Sequence, residues 1–302
     1  MPYTIGDARR DAAARIAAIS ETAFLDTDWL LGTILDQDRA ALLAHLDSPM
    51  PPDVLARFDE WVARAEAGEP IAYILGRRGF YDLEFEVSPA VLIPRPETEL
   101  LLEEALKWAD ANTDKSAHFH AADIGTGSGA LAITFAAHAP RWHVSAVDVS
   151  AAALAVAARN RARIDTDTLN LAELIRFHKG DLLTPLVAAI ETGTLPRIDL
   201  LMANLPYIPH AVLDDLAVAQ WEPRLALDGG DDGLSLVRRL LIDAPRVLAD
   251  QALILLEIGS GQGDAALEAV RAHLPADGVR DARILKDYAF HDRIARVEWN
   301  RK

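Results

Sequence analysis

The tetrapeptide Asn204-Leu205-Pro206-Tyr207 has the residue types needed to hold a planar amino group. The Asn204 side-chain oxygen and the Leu205 carbonyl can each accept one N–H of an –NH₂ group attached to an sp² carbon. Pro206 fixes the local φ and has no N–H that competes for these acceptors. Tyr207 supplies an aromatic wall for a flat substrate group. Two acceptors that hold both hydrogens favour the nitrogen lone pair, so with a methyl donor nearby the motif indicates methylation of an amide or a nucleobase amine.

A glycine-rich turn upstream of this motif could bring the backbone close to a second ligand. The predicted strand 119–124 ends in the turn Gly125-Thr126-Gly127-Ser128-Gly129, and a predicted helix follows from residue 130. Glycines at such a turn let the backbone approach a ligand without Cβ clashes. Taken alone, the turn also fits the dinucleotide pattern G-x-G-x-x-G/A, or a tight turn that binds no ligand.

Two acidic residues at later strand ends distinguish between these interpretations. Asp148 ends the predicted strand 144–148, about 20 residues after the glycines, where a carboxylate can accept from both ribose hydroxyls of an adenosine. Asp181 follows the next strand and could accept from an adenine amino group, with Leu182 packed on the ring. Ligands of open α/β sheets bind outside the carboxyl ends of the strands. The order of glycine turn, two acids and Asn204 therefore predicts a nucleoside-containing methyl donor beside the tetrapeptide, and a nicotinamide enzyme has no use for that tetrapeptide.

Composition limits the remaining chemistry. The 302 residues suggest two domains, or one large and one small domain. The chain contains no cysteine, which excludes a disulfide framework, a thiolate zinc site and a cysteine nucleophile. The nine histidines are scattered, without the spacing of metal ligands, so we expect no metal. Without a signal peptide or a run of about 18 apolar residues, the sequence predicts no membrane association and a cytoplasmic location.

The net charge of −16 bears on the substrate. Proteins that bind nucleic acid through its phosphates usually carry a basic patch. The small basic clusters here are Arg77-Arg78 and the stretch 159–163, which lies on a predicted helix and reads as a solvated face. The charge balance therefore counts against RNA or DNA as a partner.

The elements that position these residues divide the chain into three parts. Residues 1–75 read as helices, with a helix over 24–35 that turns Leu25, Trp29, Leu30 and Leu31 towards a core. Residues 76–95 read as a β-hairpin linker, with one strand over 79–87, a turn at Ser88 and the extended segment Val91 to Glu99 after it. Residues 96–302 alternate strands and helices, which predicts a mostly parallel sheet covered on both faces. The last two strands are expected to form an antiparallel edge pair.

Two further segments are candidates for supporting roles. The proline-flanked stretch around Arg95 is stiff, and it could close over the methionine end of the donor or serve as a rigid hinge. The loop 209–232 is long enough to have a function or to carry short helices, and it follows the tetrapeptide directly. Its Glu222 could hold Asn204 or the loop in place.

With these segments the chain resembles the PrmC, or HemK, family of peptide chain release factor protein-(glutamine-N5) methyltransferases. The similar segments cover nearly the whole length and include the following stretches: 68–76, 80–81, 92–99, 123–129, 204–207, 222–223 and 229–234, together with Asp148 and Asp181. The Pro-Arg-Pro-Glu-Thr-Glu segment and the helical N-terminal part are far more specific than the glycine turn.

The resemblance implies an α/β fold of the class I S-adenosylmethionine-dependent methyltransferases, Rossmann-like, with a mostly parallel seven-stranded sheet. It implies a small all-helical N-terminal domain that contacts the release factor. S-adenosyl-L-methionine would be the methyl donor, and the substrate would be the glutamine of the Gly-Gly-Gln motif of class I peptide chain release factors. Asn204, Leu205, Pro206 and Tyr207 would hold the glutamine amide. The donor would contact the following residues: Gly125, Thr126, Gly127, Ser128, Gly129, Asp148, Asp181, Leu182 and Asn204.

One position departs from the family pattern, which usually has proline where this chain has Leu205. The acceptor at this position is a backbone carbonyl, so its chemistry survives the change. Asn-Leu-Pro-Tyr also resembles the motif of ribosomal RNA adenine dimethyltransferases. An adenine-N6 methyltransferase acting on RNA or DNA is therefore the alternative hypothesis, and a non-catalytic binding module is a third. The third hypothesis, a non-catalytic module, is disfavoured because the glycines of the turn, Asp148 and Asn204 are all intact.

Overall fold

The computed structural model describes residues 2–112, 119–166 and 168–301 of the chain. The chain divides into two compact units, Met1–Arg77 and Arg78–Lys302. None of the helices in this described part is long and apolar enough to cross a membrane.

The first unit is a small helical bundle. Its helices are α1 (Ile5–Ile16), α2 (Ala23–Leu35), α3 (Arg39–Ala44), α4 (Pro52–Glu66) and α5 (Ile71–Leu75). Helix α1 begins with a capping box, in which Thr4 accepts from the Asp7 N–H and the Asp7 carboxylate accepts from the Thr4 N–H. Helix α4 has proline at its first position, where the missing N–H costs no hydrogen bond. Phe58 and Leu31 lie in the apolar core of this bundle.

The prediction that Trp29 and Leu25 face this core was wrong. Trp29 is 56% exposed and Leu25 is 38% exposed, whereas Leu30 and Leu31 are fully buried. Asp28 is buried on the inner face of α2, where its carboxylate accepts from Arg9 and from Arg39 Nε at 3.0 Å. The paired Asp28 carboxylate fixes the rotation of α2, and this rotation differs from the one that the apolar pattern of the helix predicts.

A two-stranded sheet opens the second part of the chain, and its turn lies earlier than the sequence predicts. Strands β1 (Arg77–Phe80) and β2 (Leu83–Glu86) pair with each other. The two strands are joined at Tyr81, whose φ is +57°. The predicted turn at Ser88 is also present, with the Val91 N–H donating to the Ser88 carbonyl at 3.0 Å, but it follows the hairpin. The extended segment after Ser88 forms no strand, because its prolines remove backbone N–H donors.

The second unit is built around a seven-stranded sheet. Its strands are β3 (Phe119–Ile124), β4 (Trp142–Asp148), β5 (Ile175–Lys179), β6 (Ile198–Ala203), β7 (Leu248–Glu257), β8 (Val279–Lys286) and β9 (Asp292–Asn300). They lie in the order β5-β4-β3-β6-β7-β9-β8. The first five are parallel, and β9 is antiparallel to both of its neighbours. This is the expected Rossmann-like fold with an antiparallel edge pair.

Helices cover both faces of this sheet. They are α6 (Thr98–Ala111), α7 (Ala130–His138), α8 (Ala151–Ile164), α9 (Leu171–Leu174), α10 (Thr184–Glu191), α11 (His210–Leu213), α12 (Ser235–Val247) and α13 (Gly263–His273). Side chains of β6 alternate between the two faces: Leu201 packs in one buried cluster, and Leu200 and Met202 pack in the other. Continuous apolar strands of this kind are typical of a sheet buried on both sides. The segment 209–232 carries α11 and two 3₁₀ turns, Ala217–Gln220 and Arg224–Ala226.

Strand register brings the sequence motifs to one edge. Ile124 of β3 pairs with Ala203 of β6 on one side and with Val147 of β4 on the other. The glycine turn, Asp148 and Asn204 come directly after these three positions. They therefore emerge side by side from the carboxyl edge of the sheet, where ligands of open α/β folds bind.

Candidate active site

A cavity of about 380 Å³ lies at this edge of the sheet. Its lining includes the following residues of the predicted site: Gly125, Gly127, Asp148, Asp181, Leu182, Asn204, Leu205 and Pro206. Apolar walls with a few convergent polar groups are typical of a site for a small organic ligand.

Within the glycine turn, some residues line cavities and one packs in the interior. Thr126 and Ser128 line a second cavity of about 60 Å³ behind the turn. Gly129 faces the interior instead: a Cβ there would lie 2.8 Å from Ile133 Cδ1 and 3.1 Å from Ala157 Cβ. Gly129 therefore lets α7 pack against α8, and its contact with the donor stays a prediction.

Asp148 is held in place by backbone donors. Its Oδ2 accepts from the Gly127 N–H at 2.9 Å, and its Oδ1 accepts from the Ser150 N–H at 2.8 Å. Burial raises the pKa of the Asp148 carboxyl, and these hydrogen bonds oppose that shift. A carboxylate has about four acceptor positions, so Asp148 keeps acceptor capacity towards the cavity that it lines.

Asp181 and Leu182 lie on the far wall of the large cavity. The Asp181 carboxylate is exposed and pairs with the Arg239 guanidinium, which lines the same wall. Leu182 has φ +47°, in the left-handed region that costs an L-residue about 1–2 kcal/mol. Strained backbone of this kind persists where the surrounding structure holds a side chain in a required position. At Leu182, this backbone conformation directs the chain along the cavity wall.

Asn204 lies where three cavities meet. It lines the large cavity, the 60 Å³ cavity behind the glycine turn, and a third cavity of about 80 Å³. The third cavity is also lined by Leu205, Tyr207 and Ile208. One side chain thus faces both the predicted donor compartment and a separate compartment beside the aromatic ring.

Two residues hold the Asn204 amide: Thr98, which belongs to the Pro-Arg-Pro-Glu-Thr-Glu segment, and Glu257, which no sequence motif included. Its Nδ2 donates to Thr98 Oγ1 at 2.9 Å, and the Thr98 hydroxyl donates to Glu257 Oε2 at 2.7 Å. Because the amide nitrogen is engaged with Thr98, the Oδ1 is the atom left to accept from a ligand. Burial raises the pKa of Glu257 to about 7.

The backbone after Asn204 is fixed by a second network. The Gln262 side chain donates to the Tyr207 carbonyl at 3.0 Å, and Ile208 exchanges backbone hydrogen bonds with Leu227 and Gly229. Burial, followed by the nearby Glu257 carboxylate, raises the pKa of Tyr207 to about 12. Tyr207 therefore stays neutral at physiological pH and acts as a packing surface with a hydroxyl.

Glu222 connects two loops, which is one of the two roles predicted for it. Its carboxylate is 2% exposed, accepts from the Ile93 N–H at 3.0 Å and pairs with Arg95. It therefore ties the segment 209–232 to the proline-flanked Arg95 stretch. The Asn204 side chain is held by Thr98 and not by Glu222.

We expect Glu222→Ala to lower the free energy of unfolding by about 2 kcal/mol, because it leaves the buried Ile93 N–H without an acceptor. Thermal denaturation measures this loss. Glu191→Ala is the matched control, since it removes an Arg–Glu pair whose side chains are more than half exposed and should cost under about 1 kcal/mol. Equal losses in the two variants would contradict the buried role of Glu222.

Comparison with known proteins identifies the family. The model of the PrmC N-terminal domain matches residues 7–76, and that of the methyltransferase small domain matches residues 98–190. The release factor glutamine methyltransferase of Moorella thermoacetica is 40% identical over 292 residues, which cover 96% of this chain and 96% of that protein. The Pseudomonas aeruginosa release factor glutamine methyltransferase is 38% identical and covers 93% of this chain and 94% of that protein. The chain belongs to the release factor glutamine methyltransferase family.

The family resemblance drawn from the sequence is thus confirmed. A solved structure of the human methyltransferase 10 domain containing protein superposes with a TM-score of 0.50 at 19% identity, covering 73% of this chain and 89% of that one. This likeness supports the methyltransferase fold. Across residues 2–112, 119–166 and 168–301, no group of three His, Asp or Glu side chains is placed to hold a metal ion.

Proposed function

We propose that this chain transfers a methyl group from S-adenosyl-L-methionine to the side-chain amide nitrogen of the glutamine in the Gly-Gly-Gln motif of class I peptide chain release factors. The observation that carries the proposal is the position of Asn204. Its free amide oxygen lies where the donor-sized cavity meets a smaller compartment lined by Tyr207.

The large cavity fits an adenosine-containing donor in size and in donor–acceptor character. Asp148 is proposed to accept from the ribose hydroxyls, Asp181 from the adenine amino group, and Leu182 to pack on the adenine ring; all three residues line this cavity. The 60 Å³ cavity behind the glycine turn extends between Arg95 and Asp123 and would take the charged amino-acid end. Gly125 to Gly129 and Asn204 complete this set of donor-binding residues.

When bound, the donor supplies an activated methyl group on a sulfonium. The work of the protein is then to orient the acceptor. Asn204 Oδ1 and the Leu205 carbonyl accept the two amide hydrogens, so the nitrogen lone pair points away from both acceptors. Tyr207 packs on the amide plane, and Pro206 leaves no competing N–H. Alignment of this kind can be worth about 7–11 kcal/mol, and the two acceptors also meet positive charge as it develops on the nitrogen.

The partner follows from the family and from the charge of the chain. A surface with a net charge of −16 is poorly suited to a phosphate backbone and favours a protein substrate. A cytoplasmic location would place the enzyme with free release factors. The helical residues 1–75 are proposed to recognise the factor, 76–95 to form the hairpin linker, and 96–302 to carry out the transfer.

The test is methyl transfer from labelled S-adenosylmethionine to a purified class I release factor, with a Gln→Ala variant of its Gly-Gly-Gln motif as control. Label in the unaltered factor alone is the expected result. Equal label in both factors would move the methylated position elsewhere on the protein. Label in RNA or DNA, and none in the factor, would support the adenine-N6 alternative.

A further inference from the structure

The orientation of the Asn204 amide decides whether this residue can bind an amino group. An asparagine side chain presents an oxygen at one end and an NH₂ group at the other, and the two ends have nearly the same shape. Only the oxygen end can accept the N–H of an incoming amide. If the amide turned by 180°, an NH₂ group would face the substrate NH₂, and the two would repel.

Thr98 fixes this choice because a hydroxyl has only one hydrogen. Thr98 gives that hydrogen to Glu257 Oε2 at 2.7 Å, so its oxygen can only accept from Asn204. The Asn204 NH₂ group must then face Thr98, as the Nδ2–Oγ1 distance of 2.9 Å shows. When Glu257 is ionised it determines the direction of both hydrogen bonds, since a carboxylate accepts and does not donate.

The second oxygen of Glu257 decides which oxygen a proton would occupy. Glu257 is 1% exposed, and its Oε1 is buried without a hydrogen-bond partner in the described part of the chain. A proton placed on Oε1 would be an unsatisfied buried donor, which is costly. A proton placed on Oε2 would donate to Thr98, whose own hydrogen would then turn towards Asn204 and favour the wrong amide orientation.

We propose that Thr98 and Glu257 are positioning residues that hold the Asn204 amide with its oxygen towards the acceptor amide. The assignment rests on the proposed methyl transfer. Neither residue touches the substrate in this arrangement: both act through Asn204, from the start of α6 and the end of β7.

The charge state of Glu257 should therefore appear in the pH profile. Arg95, Arg293 and Glu97 face this carboxyl, and Tyr207 lies close to it. Burial raises the pKa of Glu257 to about 7, and the two arginines oppose that rise. The carboxylate form, which keeps Asn204 correctly oriented, is lost as the pH falls through this pKa. We expect kcat to fall on the acid side, and Glu257→Gln to remove that limb.

The main experiment compares Thr98→Val with Thr98→Ser. Valine has the shape of threonine without the hydroxyl, whereas serine keeps the hydroxyl. We expect Thr98→Val to lower kcat by about 10–100-fold, as loss of a supporting partner does at other sites, and Thr98→Ser to recover most of that loss. The Kd for S-adenosylmethionine, measured by calorimetry, should change little in both variants.

Two controls separate positioning from general damage. Thr134→Val removes another buried hydroxyl, which donates to the Ala130 carbonyl at 2.7 Å within α7, and should leave kcat near the wild-type value. The double variant Thr98→Val with Asn204→Ala should be no slower than Asn204→Ala alone. A merely structural role for Thr98 would add its own loss to that variant.

The outcomes distinguish this inference from the proposed function. Equal kcat for Thr98→Val and Thr98→Ser, in an enzyme that methylates the factor, would overturn the positioning role and leave the function intact. If the wild-type enzyme transfers no methyl to the factor, the proposed function fails. A neutron crystal structure then decides the positioning: deuterons of Asn204 facing Thr98 support it, and the amide oxygen facing Thr98 overturns it.

Discussion

Replacing Asn204 by alanine is expected to slow methyl transfer by about 10²–10³-fold, a loss comparable to that caused by removing one oriented polar group from a catalytic site. In the proposed mechanism the side chain supplies one of the two acceptors that orient the amide nitrogen, and truncation to alanine leaves only the Leu205 carbonyl of that pair. Single-turnover measurements at saturating donor and factor report the rate constant directly.

The same variant should bind S-adenosylmethionine within a few-fold of the wild-type affinity. Asn204 is one of many residues around the large cavity, and Asp148 keeps its own backbone contacts without it. Asn112→Ala is a suitable control, since that side chain donates to the Trp108 carbonyl at the end of α6, away from the cavities. Parallel losses of rate and donor affinity in Asn204→Ala would assign Asn204 to donor binding instead.

The second large effect is expected for Gly233→Ala. Gly233 has φ +79°, and a Cβ there would overlap the Tyr207 carbonyl oxygen and the Gln262 amide nitrogen. The backbone that carries Tyr207 must then move, or Gln262 must release it. We expect the variant to lose about 3 kcal/mol or more of stability, from the backbone strain and the overpacking together, and to lose most of its methyl-transfer activity.

Gly193→Ala separates the effect of the steric clash from the effect of the backbone strain. Gly193 has nearly the same backbone conformation, φ +72°, but a Cβ there would meet no atom within 4 Å. This control should cost about 1 kcal/mol, which corresponds to a fall of about 2–4 °C in Tm for a domain of this size, and should keep its activity. If both variants melt at the same temperature, the packing of Gly233 against Tyr207 is not what supports the site.

Sequence patterns predicted the parts of this structure that depend on local periodicity. Apolar runs that lead to Gly125, Asp148 or Asn204 located the ends of β3, β4 and β6, and the parallel sheet then brought those ends together. The same reasoning included Thr98 in a specific segment but could not assign it to Asn204, and it did not find Glu257. Their hydrogen bond joins residues 159 positions apart, and neither residue type is distinctive at the start of a helix or the end of a strand.

The errors have a common physical origin. The rotation of α2 is set by the ion pairs of Asp28 with Arg9 and Arg39, and these override the apolar pattern that pointed Trp29 inwards. The turn at Tyr81 depends on a positive φ at a non-glycine residue, which no local signal announces. In both cases a contact or a backbone conformation specific to the fold overrides a local preference.

The contact between Leu205 and Gly125 joins the proposed donor site to the proposed acceptor site. The Leu205 side chain is buried, and its Cδ2 lies 3.2 Å from the point where a Cβ on Gly125 would stand. The space that accepts the large leucine exists because the neighbouring turn carries no side chain. A side chain at position 125 would therefore press on residue 205 and on the Asn204 carbonyl, in addition to straining its own backbone, whose φ is +77°.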